Sequence, residues 1–209
     1  FTITLWFRVD GPVHSDQHMN WWAGTGLVDG EVSGVVDDYG ISIHRGGYLV
    51  AGTGNPERSV HSSSGLDDGR WHHACFTRER QSGVIRLYVD GELAAQAEGF
   101  STSRLDSTER VFIGRSLVGN RHFNGLIDEL RIYDRVLEHD EVIGLMLAES
   151  SETARPVLVR DASPQQAPGL VEAVQDFKSV NRPDVPMQEV LCVQELGGTP
   201  ARMHVRIRG

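Results

Sequence analysis

The chain has only two cysteines, Cys75 and Cys192. That is too few and too widely spaced for a disulfide framework or a zinc site, and no C-x-x-C-H run is present to attach haem. No apolar run approaches the roughly 18 residues a membrane-spanning helix needs. Positive charge is scarce: 20 Lys and Arg stand against 29 Asp and Glu, for a net charge of −9 and a pI near 5.4. Nucleic-acid binders carry a basic footprint, so a phosphate-backbone partner is not expected. There is no G-x-S-x-G elbow, and Gly52-Thr53-Gly54-Asn55 is not followed by the Lys-Ser/Thr of a phosphate loop. A glycosidase needs two carboxylates about 5–10 Å apart across a cleft. No strand carries an E-x-D-x-E pattern, and Glu138, Asp140 and Glu141 fall on a helix. An enzyme is therefore not expected.

What the chain has in quantity is glycine, 23 residues, set between short alternating runs. In Phe1–Asp10, Phe1, Ile3, Leu5, Phe7 and Val9 alternate with Thr2, Thr4, Trp6 and Arg8. Further strands are expected at Gly26–Val28, Gly40–His44, Tyr48–Gly52, Trp71–Arg78, Val84–Asp90, Val111–Gly114 and Leu126–Tyr133. Trp71–Arg78 and Val84–Asp90 read as a hairpin through Gln81-Ser82-Gly83, and Asp90-Gly91 supplies the next tight turn. Short strands with Gly-rich turns and almost no helical period describe an all-β jelly-roll sandwich of two antiparallel sheets. Leu5, Phe7, Leu87, Val89, Leu130 and Ile132 are expected inside it. One helix is expected at Leu137–Ala148, against the edge or end of the sandwich.

Composition shifts after residue 149. Residues 150–169, rich in Ser, Pro, Ala and Gln, read as a linker, and 170–209 as a C-terminal arm. The arm holds a short helix at Leu170–Phe177 and a hairpin of Val190–Leu196 and Arg202–Arg208. A lone hairpin is not stable in water. It must pair with the sandwich edge, a partner chain or a domain beyond Gly209, the last two being favoured by the linker before it. No secretory leader opens the chain, which begins on strand sequence, so a longer parent protein is expected.

The ordered words F-T-I-T-L-W-F, D-G-R-W-H-H, L-Y-V-D-G, F-I-G-R and G-L-I-D-E-L-R-I-Y-D-R-V-L-E-H-D-E-V, over about residues 1–148, resemble the laminin-G/pentraxin-like family of concanavalin A-like sandwiches. The resemblance implies a glycan-, protein- or calcium-binding rim. Family members usually begin with one more strand, which leaves a sheet edge to explain. The tail words P-M-Q-E-V-L-C-V-Q-E-L and H-V-R-I-R-G resemble the opening of a domain of large secreted bacterial proteins that also carry cytochrome c-like segments.

Three sets of residues are candidates for a site. The loop with His14, His18, Trp21 and Trp22 lies outside the strand pattern, and its rings suit sugar faces or protein interfaces. Trp21, Trp22 and His18 are therefore the expected ligand-binding residues, with core packing of one Trp as the competing fate. The segment Asp29–Gly40 places oxygens at several positions of an EF-hand loop but has Gly40 where the bidentate Glu belongs. It is not an EF-hand; Asp29, Glu31 and Asp38 are expected either to hold Ca2+ or to form a solvated acidic loop. Asp128 falls on the face of Leu126, Leu130 and Ile132 by strict alternation, so it must be hydrogen-bonded, paired or a metal ligand. His72 and His73 are adjacent on a strand, point to opposite faces and cannot chelate one ion together.

These readings lead to a non-catalytic recognition module of a larger extracellular or periplasmic protein. It would bind a glycan or surface polymer through rim loops. The alternatives are a structural domain docking on other parts of its parent protein and, more distantly, a glycoside hydrolase of the same fold.

Overall fold

A computed structural model describes residues 1–34, 36–106, 108 and 110–148, and the backbone of 149–150 and 204–206. The expected helix at Leu170–Phe177, the strand at Val190–Leu196 and the linker at 151–169 lie outside the described residues.

The strands are β1 (Thr2–Val9), β2 (Thr25–Asp29), β3 (Tyr39–His44), β4 (Tyr48–Thr53), β5 (Arg58–His61), β6 (Trp71–Glu79), β7 (Val84–Val89), β8 (Glu92–Ala97), β9 (Phe112–Ile113), β10 (Gly125–Tyr133) and β11 (His204–Arg206). A helix, α1, spans His139–Ser150. One sheet runs β10-β1-β6-β7-β8, all antiparallel, with β11 parallel beside β10 along Leu126–Asp128. The sandwich edge is the one of the three pairings that the preceding linker did not favour for the arm's second strand. The other sheet runs β5-β4-β3-β2-β9, also antiparallel. Two packed antiparallel sheets form the expected sandwich.

Alternation decides what goes inside. Ile3, Leu5 and Phe7 of β1 meet Leu27, Ile41, Ile43, Leu49, Phe76, Ile85 and Leu87 in one core. Each buried aliphatic or aromatic side chain contributes about 1.5–3 kcal/mol of transfer free energy. The intervening residues of β1 are buried as well, because α1 lies across the outer face of that sheet. Trp6 packs against Ile143 and Met146, and Cys75 and Tyr88 pack against Leu137 and Val142. The helix thus covers a face rather than the edge or end the sequence suggested. Apolar side chains at Trp6, Cys75 and Tyr88 on that face require a cover.

Leu5, Phe7 and Leu87 are fully buried, and Val89 and Leu130 are partly buried against the same core. Ile132 is not: it is 56% exposed. β5 contacts β7 and β8, so the opposite edge of its sheet faces β10, and there β9 is only two residues long. Ile132 points inward beside a sheet that has already ended.

β10 also breaks the alternation assumed for Asp128. The β1–β10 register slips by one residue between Thr4, paired with Arg131, and Trp6, paired with Asp128. Glu129 takes a left-handed φ of 51° at this bulge. Leu126 and Asp128 therefore share the Trp6 face, while Leu130 turns to the sandwich core. β5 and β8 escaped the sequence reading. β5 is four residues long, and β8, Glu-Leu-Ala-Ala-Gln-Ala, is largely exposed and lacks β-branched residues.

Candidate functional site

The β1–β2 loop, residues 10–24, folds over the outer face of the five-stranded sheet. Gly40 and Gly52 are direct partners on that face. A Cβ on either would lie 2.6 or 2.5 Å from the Trp21 ring, so the missing side chains leave the space the indole fills. Trp21 is 2% exposed, and its backbone N–H donates to Ser59 Oγ at 3.0 Å. The structure thus places Trp21 as a packing residue, and its ring cannot stack on a ligand from solution. Trp22 is half-buried and donates from Nε1 to Glu57 Oε1 at 2.5 Å. His18 is exposed on the same loop.

The acidic segment forms the β2–β3 connection. Asp29 accepts hydrogen bonds from the N–H of Glu31 at 2.8 Å and of Leu117 at 2.6 Å. Asp38 accepts from the N–H of Val32 at 2.9 Å. Burial raises the pKa of both carboxyls. Glu31 is pushed up to about 7, first by burial and then by the charges of Asp38, Asp29 and Glu57. It hydrogen-bonds Asp38. Among the described residues no three His, Cys, Asp or Glu side chains are arranged to hold a metal ion. Asp128 does not join these carboxyls: it lies on the outer face of the other sheet, where its Oδ1 accepts the N–H of Glu129 at 2.9 Å. Nor do Glu31 and Asp38, which hydrogen-bond each other, have the separation of about 5 Å or more that a glycosidase pair needs.

The two adjacent histidines diverge as strand geometry requires. His73 packs on Trp6, ring centroids 5.3 Å apart, beneath α1. His72 stands on the other face beside Phe7, its Nδ1 2.8 Å from Asp90 and its Nε2 3.1 Å from Asp68. Burial alone would lower the His72 pKa, but the two carboxylates outweigh it and raise the value.

An open groove of about 500 Å³ lies on the rim, between the start of the β1–β2 loop and the β9–β10 connection. Pro12 and His14 line one side, and Asn120, Arg121, His122 and Asn124 the other. Each wall is fixed by backbone bonds. Thr25 Oγ1 donates to His14 O at 2.8 Å and lies 3.3 Å from the His14 amide nitrogen, which donates to it in turn. Ser116 N donates to Arg121 O at 2.8 Å, and Phe123 N to Gly114 O at 2.8 Å. Arg121 lies over Gly119, where a Cβ would come within 2.8 Å of the guanidinium carbon. Its Nη1 donates to Val118 O at 2.9 Å, and its Nη2 pairs with Asp16 at 2.7 Å. Amides, imidazoles and a guanidinium on a fixed rim are donors and acceptors suited to a hydroxyl-rich ligand. Of these residues only His14 stood in the sequence-derived candidate loop. The polar run Gly119-Asn120-Arg121-His122 between two strand words was the signal for the rest.

A family model described as the concanavalin A-like lectin/glucanases superfamily matches residues 1–143. A Rattus norvegicus protein named for its sushi, von Willebrand factor type A, EGF and pentraxin domains is 26% identical over 144 residues, which cover 65% of this chain and 4% of that protein. Xenopus laevis C-reactive protein is 28% identical over 85 residues, 37% of this chain and 36% of that one. The chain thus spans well under two thirds of these relatives. Among solved structures, the CBM40 of Ruminococcus gnavus IT-sialidase, also solved bound to alpha2,3 sialyllactose, superposes with a TM-score of 0.54 at 15% identity. That match covers 69% of this chain and 81% of that one.

Proposed function

The chain belongs to the concanavalin A-like lectin/glucanases superfamily, and from that premise we propose that it is a non-catalytic module that binds carbohydrate at the rim groove. The observation that carries the reading is the groove itself, with His14, Asn120, His122 and Asn124 presented on backbone-locked walls. Planar amides and imidazoles offer paired donors and acceptors to sugar hydroxyls, while Pro12 supplies an apolar wall. Glu31 and Asp38 line no part of this groove, and none of its lining residues is acidic, which supports recognition without bond cleavage. The structural likeness to a module named as a CBM40 supports the same class. On this reading the domain serves a longer protein in an extracellular or periplasmic setting, and no helix among the described residues is long and apolar enough to cross a membrane.

The test is a glycan array followed by titration of the best binder into the full chain and into His122→Ala and Asn124→Ala. Both residues are exposed, so the variants should stay folded while affinity falls about tenfold, the loss of one or two hydrogen bonds to the ligand. Unchanged affinity in both variants would move the site elsewhere.

A second reading, docking on other parts of a parent protein, is favoured by the 56% exposure of Ile132 on β10, the strand that β11 joins. A truncation at Ser150 that lowers the melting temperature would support it.

A further inference from the structure

We propose that the rim groove selects an anionic saccharide, one bearing a carboxylate or a sulfate, over a neutral one. This inference rests on the groove being the carbohydrate site and adds the charge of its ligand. The chain carries a net charge of −9, so its surface as a whole repels anions. The groove departs from that background: none of its lining residues is acidic, and Arg121, His14 and His122 converge there with Asn120 and Asn124. Arg121 is the one formally charged residue of that lining, a cation set against an acidic background.

Arg121 is placed for that task. Only 12% of its side chain is exposed, so its charge is weakly screened, and its seat over Gly119 fixes the plane of the guanidinium. Among the described residues, Val118 O and Asp16 take one donor each from Nη1 and Nη2, of the five that a guanidinium carries. A planar fork of this kind matches a carboxylate or sulfate better than a hydroxyl. Asp16, 49% exposed at 2.7 Å from Arg121, is the chain's own carboxylate on that fork. It holds the guanidinium in place in the free protein and competes with an incoming anion.

The competition gives a test that loss of folding cannot imitate. The full chain, Asp16→Asn and Arg121→Gln are titrated with α2,3-sialyllactose, a sulfated lactose and lactose, at low and physiological salt. The expected result is binding of at least one acidic sugar about tenfold tighter than lactose, weakened as salt rises. Asp16→Asn should tighten acidic-sugar binding several-fold without changing lactose, and Arg121→Gln should erase the preference. The two acidic probes separate a carboxylate from a sulfate ligand, and preference for either supports the proposal. Equal binding of lactose, still weakened by Asn124→Ala, would overturn the charge preference and leave the carbohydrate reading standing. No binding of any sugar on this panel, with neutral hits on an array, would likewise overturn it. An array empty of all glycans would overturn the carbohydrate reading itself.

Discussion

Asp128 Oδ1 accepts the backbone N–H of Glu129 at 2.9 Å, and Glu129 sits in the left-handed region at φ 51°. The carboxylate thus holds its own neighbour at the β10 bulge, which brings Trp6 opposite Asp128 and turns Leu130 into the core. Removing that acceptor leaves an amide at a strained position without its partner. Asp128→Ala should destabilise the fold by about 1–3 kcal/mol, and Asp128→Asn, which keeps an acceptor oxygen, by less. Glu129→Gly relieves the left-handed cost while losing a partly exposed pair to Arg131, so it should stay within about 1 kcal/mol of the parent. Urea unfolding of the three variants checks the order, and a neutral Asp128→Ala would contradict it.

Glu31 ties stability to pH. Its pKa is about 7 in the folded chain against an ordinary 4.5, so the folded state holds a proton that the unfolded state releases. Stability from this group is highest below pH 4.5 and falls as pH rises toward 7. Glu31→Gln should remove that slope. At pH 8 it should be more stable than the parent by on the order of 1 kcal/mol, allowing for solvent screening of a half-exposed group. A thermal-melt series from pH 4 to 8 would show this, and a destabilised Glu31→Gln at pH 8 would contradict it.

His72 is raised above 6.5 by Asp90 and Asp68 against the opposing effect of burial. Its contribution is fully present below pH 6.5 and fades as pH rises through the folded value. His72→Ala should therefore cost about 1–2 kcal/mol at pH 5.5, where both contacts are charge-assisted, and clearly less at pH 9. An equal loss at both pH values would assign His72 to packing alone.

Trp21 and Trp22 should separate cleanly. Trp21 is buried against Gly40 and Gly52, so Trp21→Ala should cost about 3–5 kcal/mol of stability. Trp22 is half-buried and lines no part of the groove. Trp22→Ala should stay folded and bind sugar as the parent does. A folded Trp22→Ala that has lost binding would place the site at the Trp22–Glu57 surface instead.

The sandwich was legible because alternation and turn glycines are local signals, and the runs at Phe1–Asp10, Trp71–Arg78 and Val84–Asp90 carry them without interruption. What was not legible depends on one-residue events and on distant neighbours. A single left-handed residue at Glu129 put Leu126 and Asp128 on the face opposite Leu130, with which strict alternation had grouped them. The fate of Trp21 was set by Gly40 and Gly52, which only the β3–β4 pairing brings together. The backbone N–H groups that Asp29 and Asp38 accept from, those of Glu31, Leu117 and Val32, are likewise invisible to composition. The groove joins residues about 110 positions apart, Pro12 and His14 with Asn120–Asn124, a juxtaposition that strand pairing creates.

The location of the sugar site is tested most directly by amide chemical-shift mapping of the labelled full chain titrated with α2,3-sialyllactose. The account predicts saturable shifts at His14 and across Asn120–Asn124, with Glu57 and Trp22 unmoved. Saturable shifts confined to Trp22, Glu57 and Glu31, with the groove silent, would contradict it.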